Sequence, residues 1–550
     1  MINSNYTLAI YGIRDINNSN YPNLVHDHNI TLFKDGEIVK YLHLERYTRN
    51  KHDNKLHENI YSLLQSEKLL AYNNLDIVFV DNVIGRSFIS EKGDMRFEAP
   101  LNNEVLSTFE KGKSFWLGKN INSFVLNHEL AHIYSCLPFY GNFKNNSLLV
   151  HFDGGASLSN FSAWHYIDSK LLKLEANWSL KYLSSLFNAN AMCFSIIGAK
   201  RKDQNSVPGK LMGFASYGTY NYDIERWLVE NNFFSDIWKK KTTFFNKLKH
   251  DWDININSFD QKNTFIQDIA ATIQYIFQRD FLEKLKFLQD NTKSKYLYLT
   301  GGSALNIVSN TNIVNSNVFE DVFIPPCTND SGLSIGAGAC VEFAKHKSVS
   351  ITNAYINNWG INEYKNELDL KEIRRIAKLI ADKKVVGVCN GYGESGPRAL
   401  GNRSIIALAS SIDISKKVSQ YHKKREWYRP VAPIMLEKNA KYFTGLTKIH
   451  HLSKYMLIDF DILPGKKQEI EGVVHVDGTS RIQTLFSRND NSFIYDLLQV
   501  LDNEFGVKAL INTSFNIKGE PIVHTVDDAI NSAKNMKLDA VVLNGKLRLI

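Results

Sequence analysis

Short apolar runs separated by turn signals open the chain. Tyr6 to Ile10 predicts a strand, and Asn29 to Phe33 and Glu37 to Leu42 flank Lys34-Asp35-Gly36, a D-G hairpin signal. Leu148 to Phe152 predicts another strand, ending in Asp153-Gly154-Gly155. The first 160 residues thus read as strands and turns. The period then changes. Ile266, Ile269, Ile273, Ile276, Phe277, Phe281, Leu285 and Leu288 recur at three- and four-residue spacing and predict one long helix. It leads into a strand over Tyr296 to Leu299, the turn Gly301-Gly302-Ser303, and a new helix from Ala304. Hairpin strands followed by helix, strand, double glycine and helix form the grammar of a nucleotide-binding α/β domain. A second unit begins near residue 360. Ala354 to Lys365 reads as a linker, Leu368 to Ile380 as a helix and Val385 to Val388 as a strand. The stretch from there to Ile550 is long enough for a core of its own.

Composition narrows the class. At 550 residues the chain is too long for one ordinary core, and 44% hydrophobic with 22% charged residues is a globular balance. Five cysteines without a C-x-x-C pair exclude a disulfide framework, a zinc ribbon and a redox pair. No apolar run is long enough for a membrane span, and Met1 to Asp15 lacks the pattern of a signal peptide, so a reducing cytoplasm is expected. The net charge of +8 permits an anionic partner without requiring one. The most basic stretch is Trp238 to Trp252, where Lys239, Lys240, Lys241, Lys247 and Lys249 surround Phe244 and Phe245. It reads either as a nucleic-acid grip or as a solvated helix face with aromatics turned to the core, and the second is the commoner case.

Several constellations carry chemistry. His128 and His132 stand four apart, on one face of a helix, and can reach one metal ion. Asp153 closes a strand, and Asp330 sits in a loop before the small-residue helix at Gly336 to Ala339; a helix cap with Ser331 is its alternative. Two His with two Asp form a mixed N/O set suited to Fe(II), Mn(II) or Zn(II) with open positions for phosphate oxygens. Asp153-Gly154-Gly155 and Gly301-Gly302-Ser303 let backbone N–H groups approach phosphate, or are plain tight turns. With Pro208-Gly209-Lys210-Leu211-Met212-Gly213 they outline one nucleotide site. The C-terminal unit holds Arg398 and Arg403 in a glycine-punctuated turn, then Lys423, Lys424, Arg425, Arg429, Arg481 and Asn512-Thr513-Ser514. Cations with hydroxyl and amide side chains in loops suit a pocket for a phosphate-bearing small molecule.

Eight segments in order resemble the NodU/CmcH/TobZ family of carbamoyltransferases: residues 26–39, Glu45-Arg46-Tyr47-Thr48-Arg49, and residues 127–132, 208–218, 301–306, 396–404, 475–484 and 512–523. The resemblance implies an α/β protein with an ASKHA-type, TsaD-like domain over 1–360 and a YrdC-like α/β domain over 361–550. It implies that carbamoyl phosphate and Mg-ATP yield carbamoyl-AMP in the C-terminal pocket. The carbamoyl group then passes to a hydroxyl in the N-terminal domain. The implied metal ligands are His128, His132, Asp153 and Asp330, with Fe(II) first and Mn or Zn as alternatives. Gly154, Gly155, Lys210, Gly301, Gly302 and Asn306 are implied at the nucleotide of the transfer domain, and His26 as the catalytic histidine beside the acceptor. Arg398, Arg403, Lys423, Arg429, Arg481, Asn512 and Ser514 are implied in the carbamoyl-AMP pocket. Asn127, Glu129, Gly155-Ala156-Ser157 and Ser395 depart from the family pattern around the metal and acceptor mouth, so they bear on the acceptor rather than on activation.

The expected acceptor is a small hydroxylated metabolite such as a sugar or antibiotic. The alternative keeps the chemistry but places the hydroxyl on a hydroxymethylated base in DNA. A third reading, of another class, is an inactive nucleotide-binding regulator. No membrane partner is expected, and a homodimer is one assembly the sequence allows.

Overall fold

The computed structural model describes the chain apart from residues 1–4, 14–24, 73–74, 83–86, 99–103, 188–194, 200–204, 235–240 and 362–366 and the side chain of Asn122. Trp238, Lys239, Lys240 and Cys193 lie outside the described residues.

Among the described residues, three large sheets organise the molecule. The first contains β1 (Tyr6–Tyr11), β2 (Asn29–Lys34), β3 (Glu37–His43), β4 (Asp76–Val80), β5 (Ser87–Ile89), β6 (Met95–Glu98), β7 (Glu110–Trp116) and β8 (Lys119–Leu126), in the order β3-β2-β1-β4-β8-β7-β6-β5. The second is β11-β10-β9-β12-β13, built from β9 (Ser147–Phe152), β10 (Phe161–Ile167), β11 (Lys170–Asn177), β12 (Tyr296–Thr300) and β13 (Asp321–Phe323). Both sheets share one scheme. Their first three strands run antiparallel, and the next two join in parallel. A repeated scheme of this kind is what the resemblance to an ASKHA-type domain implies.

The β2–β3 hairpin turns at Asp35 (φ 48°) and Gly36 (φ 83°), two left-handed positions in succession that match the twist of the flanking strands. Helix Leu333–His346 packs across β1, β2 and β4 and against helix His128–Tyr134. Its glycines allow the approach. A Cβ on Gly336 would lie 1.7 Å from Ala131 O, and one on Gly338 would lie 2.2 Å from the Phe33 ring. The long helix predicted in the sequence runs from Thr264 to Thr292 and covers the second sheet, with Phe277 stacked on Phe152 at 5.7 Å.

The third sheet is mixed, with order β19-β16-β20-β15-β14-β21-β22. Its strands are β14 (Val386–Cys389), β15 (Arg403–Leu408), β16 (Ala432–Leu436), β19 (Gln483–Leu485), β20 (Leu510–Ser514), β21 (Ala540–Leu543) and β22 (Lys546–Leu549). A two-strand ribbon, β17 (Phe460–Asp461) and β18 (Thr479–Ser480), lies beside it. The mixed α/β class in two parts is thus present.

Two expectations need correction. The first 160 residues are not only strands and turns, because Leu56–Ser66 is a helix burying Leu56, Ile60, Leu63 and Leu64. Of the expected linker, Ala354 to Lys365, residues 362–365 lie outside the described residues, and 354–361 do not behave as a loose linker. Asn357 bridges to Tyr41 on one side and Gly393 on the other, and Trp359 is fully buried. No described helix is long and apolar enough to cross a membrane.

Candidate active site

His128 and His132 lie one turn apart on the buried helix that follows β8. Asp153 follows β9, where its carboxylate accepts N–H bonds from Gly154 (2.5 Å) and Gly302 (2.6 Å). Asp330 opens a tight turn. Asn29 fixes that turn, donating through Nδ2 to Asp330 O (2.9 Å) and accepting the Ser334 N–H at Oδ1 (2.8 Å). The carboxylate of Asp330 caps no helix, and the Tyr11 hydroxyl donates to its Oδ2 at 3.3 Å.

These three elements bring the four expected ligands together. The two Nε2 atoms are 3.0 Å apart; Asp330 Oδ1 lies 3.4 Å from His128 Nε2 and 3.6 Å from His132 Nε2, and Asp153 Oδ2 lies 3.6 Å from His132 Nε2. A divalent ion with bonds of about 2.1 Å spaces adjacent ligand atoms by about 3.0–3.4 Å, so the donor set and its spacing fit one ion. Two imidazole nitrogens and two carboxylates converging in a buried place need a shared cation or proton. Burial pushes the Asp330 carboxyl up, but His128 and His26 outweigh it and hold it far below its ordinary range. His128 is raised in turn: burial opposes the shift, and Asp330 drives it.

The two glycine turns do sit together, yet their visible task is to orient Asp153. Gly301 has φ 93°, and a Cβ there would lie 2.2 Å from Phe152 O, which explains the first glycine. Gly155 lies against Trp178, whose ring a Cβ would approach to 3.2 Å. Asn306 departs from the expected nucleotide contact. Its amide caps helix Ile307–Asn315 and pairs with Gln274 in two bonds of 3.0 and 3.1 Å. Lys210 lines a cavity on the side of the C-terminal part. Residues Val207–Ala215 form a helix, and Lys210 pairs with Glu426 of the C-terminal part at 3.1 Å.

His26 stands beside the cluster, its Nδ1 3.0 Å from Asp27 Oδ2 and 3.9 Å from Asp330 Oδ2. Burial alone pushes the imidazole down, but Asp330 and Asp27 together raise it to about 10. The charge of Asp330 is the largest single upward push, and a divalent ion held by Asp330 would cancel much of it and lower the imidazole toward the range of a base. Asp27, at a left-handed φ of 56°, also meets His43 Nε2 (3.3 Å) and His52 Nδ1 (3.1 Å).

From His26 a cavity of about 1000 Å³ extends to the C-terminal sheet, lined by nine Lys and Arg against five Asp and Glu. Arg398, Lys423, Arg429, Arg481, Asn512 and Ser514 all line it. Lys423 Nζ donates to Ser514 O, to Asn516 O (2.7 Å) and to Asn516 Oδ1 (2.9 Å). Burial and then the neighbouring arginines push Arg398 and Lys423 well below their ordinary values and Arg481 to about 10. The Nε atoms of Arg398 and Arg481 are buried with no protein partner. Clustered cations with spare donors suit an anion carrying several oxygens.

Arg403 is a correction. It is buried beneath the cavity and spends five hydrogen bonds on the carbonyls of His524, Asn390, Gly391 and Asn402, at 3.0 to 3.2 Å. The basic stretch is also resolved in part. Phe244 and Phe245 are core residues of helix Lys241–Trp252, so they offer no stacking surface for bases, and Lys247 pairs with Asp251 at 3.3 Å.

Comparison with known families agrees with this geometry. Residues 21–340 match the family model described as carbamoyltransferase N-terminus, and residues 377–548 match carbamoyltransferase C-terminus. The chain belongs to the carbamoyltransferase family. Nodulation protein NolNO of Sinorhizobium fredii is 26% identical over 96% of this chain and 80% of its own length. Nodulation protein U of Azorhizobium caulinodans is 25% identical over 90% of this chain and 92% of its own. MJ1051, an uncharacterized protein of Methanocaldococcus jannaschii, is 28% identical over 95% of this chain and 98% of its own. Among solved structures, full-length HypF in its phosphate- and nucleotide-bound form overlaps 63% of this chain and 48% of its own at TM-score 0.36 and 12% identity, too distant to argue from.

Within this carbamoyltransferase, sequence reasoning missed Asp27 as a hub and His43 and His52 as its partners. The signal was available, because both histidines flank Glu45–Arg49, but only the β2–β3 hairpin, for His43, and the chain's return after the helix Leu44–Thr48, for His52, bring them to residue 27. Arg425 was visible within a basic run, and the structure places it on the cavity, donating to Ser514 Oγ at 3.2 Å.

Proposed function

We propose that the protein is an ATP-dependent O-carbamoyltransferase that makes carbamoyl-AMP in the cationic end of the cavity and uses it beside His26. What carries the reading is the continuity of that cavity, from the Arg398–Lys423–Arg481 group to the edge of the His128–His132–Asp153–Asp330 cluster. Carbamoyl phosphate is a weak electrophile toward alcohols. Atom balance gives the route: water splits carbamoyl phosphate to carbamate and phosphate, a carbamate oxygen attacks the α-phosphorus of ATP, and pyrophosphate leaves. The buried cations offset the charge that builds on the departing pyrophosphate. Enclosure between the two parts protects the mixed anhydride from water.

At the other end His26 faces the acceptor. Asp27 holds its Nδ1 proton, which leaves Nε2 to bond the acceptor hydroxyl and take its proton once the imidazole is neutral. His128, His132, Asp153 and Asp330 would hold a divalent ion, with Fe(II) favoured over Mn(II) and Zn(II), and that ion would act as a Lewis acid toward phosphate or carbonyl oxygen. A cavity of about 1000 Å³ suits a nucleotide with a small acceptor, so we favour a hydroxylated small metabolite.

The test is direct. Purified protein with ATP and carbamoyl phosphate should release pyrophosphate without acceptor, and a panel of hydroxyl acceptors should show one carbamoyl addition by mass spectrometry. Pyrophosphate release independent of carbamoyl phosphate would sink the reading, and none at all would favour a regulator.

A further inference from the structure

The Glu45-Arg46-Tyr47-Thr48-Arg49 stretch belongs to the N-terminal part, in a short helix after β3, yet its arginines reach into the C-terminal part. Arg46 is buried. Its Nη1 donates to Glu394 O at 2.7 Å and its Nη2 to Gly396 O at 2.6 Å. Gly396 stands two residues before Arg398. Glu394 closes the same loop from within, its Oε1 accepting the N–H groups of Leu400 (2.8 Å), Asn402 (3.0 Å) and Arg403 (3.1 Å). Arg49 grips a second cavity loop through Pro521 O (2.9 Å) and Ile522 O (2.6 Å).

The other side of the Arg398 loop meets the turn that carries Asp330. The Tyr41 hydroxyl donates to Ser331 O at 2.7 Å and lies 3.2 Å from Ser395 O. A Cβ on Gly396 would lie 1.9 Å from Pro326 O, so the two loops touch backbone to backbone. Tyr41 thus sits between the two loops, donating to the Asp330 turn and lying against the Arg398 loop.

We propose that Arg46, with Tyr41 beside it, is a positioning residue that braces the Arg398 loop of the activation pocket against the Asp330 turn of the transfer site. The proposal rests on reading the cavity as the carbamoyl-AMP site. Its physical basis is the planar fork of the guanidinium, which spans two carbonyls at once; a lysine ammonium keeps the charge but lacks the fork. A residue of the N-terminal part therefore sets the reach of a cation in the C-terminal pocket.

A double-mutant cycle tests it. Arg46→Lys and Arg398→Ala are made singly and together, and read by the Kd for ATP from titration and by carbamoyl-phosphate-dependent pyrophosphate release. Arg46→Lys alone should weaken ATP binding and slow release by about tenfold each, while the circular dichroism spectrum stays that of the parent. In the Arg398→Ala background the same change should add less than about twofold, because its effect passes through Arg398. Equal factors in both backgrounds, or parental ATP affinity in Arg46→Lys, would overturn the brace. If Arg46→Lys fails to fold, Tyr41→Phe removes one hydroxyl and takes its place in the cycle, with a smaller first factor and the same non-additivity expected. Should the parent bind ATP but release no pyrophosphate, the carbamoyl-AMP reading falls and the affinity cycle still decides the brace. A parent that binds no ATP overturns both.

Discussion

Arg398 and Arg403 sit five apart in one glycine-punctuated loop and do opposite things. Arg398 reaches the cavity with a buried Nε free of protein partners, whereas Arg403 turns under the loop and ties four carbonyls. Arg398→Ala should therefore cut pyrophosphate release about tenfold or more at near-parental thermal stability. Arg403→Ala should instead lower the melting temperature by several degrees, because it strands buried carbonyls. Melting curves beside activity assays separate the two, and a stable but inactive Arg403→Ala protein would reverse the assignment. His26 makes a second contrast. His26→Asn should leave pyrophosphate release unchanged and slow transfer about 10²–10⁴-fold in single turnovers with preformed carbamoyl-AMP. A transfer rate within about threefold of the parent at saturating acceptor would show that His26 only helps to bind the acceptor. The four metal-type residues were legible in the sequence because an i, i+4 histidine pair and two turn-borne acids are local patterns. The fate of Arg403 was not, since β15 begins at that residue and decides which way its side chain faces.

Among the elements, helix Leu333–His346 does the most to place the chemistry. Gly336 lets it lie on the helix bearing His128 and His132, with no room for a methyl group. Gly336→Ala should push those two histidines away from Asp330, weakening Mn(II) or Zn(II) binding about tenfold or more, together with a lower melting temperature. Metal titration checks this, and parental affinity would show that the helix contact does not hold the ligands. The hairpin, the long helix and the strand before Gly301 were legible because their apolar periods are long or bounded by strong turn residues. The helix over Val207–Ala215 was not legible, because Pro208 and two glycines weaken the helical signal. Proline is at ease in the first turn of a helix, and Val207, Leu211, Phe214 and Ala215 bury the face that stabilises the rest.

Across the whole molecule, Glu426 gathers charges from both parts: Lys210 (3.1 Å), Lys518 (2.9 Å) and Arg429 (3.6 Å). Burial raises its carboxyl, but the bond from Lys518 and the charges of Lys210 and Arg429 outweigh it, leaving it at about 2 instead of 4.5. A lowered carboxyl contributes stability that is complete above its unfolded value and is lost as pH falls toward its folded value. Glu426→Gln should thus cost up to about 3 kcal/mol at pH 7, with the gap from the parent narrowing below about pH 4.5. Urea unfolding at pH 7, 4.5 and 3 measures this, and a gap that ignores pH would remove Glu426 from the network.

Residues 354–361 set a different kind of limit. Trp359 is fully buried, its Nε1 donating to Leu63 O at 3.2 Å while its own carbonyl accepts a bond from His524 Nε2 at 2.8 Å. Asn358 Oδ1 accepts the Tyr41 N–H at 3.1 Å. The described part of the passage between the halves, residues 354–361, is a weld and not a joint. If, as proposed above, a reactive group is made at one end of the cavity and used at the other, such a weld favours drift through a corridor of fixed length over a swing of one half across the other. Clamping the halves together with a short chemical cross-link should then cost the reaction nothing.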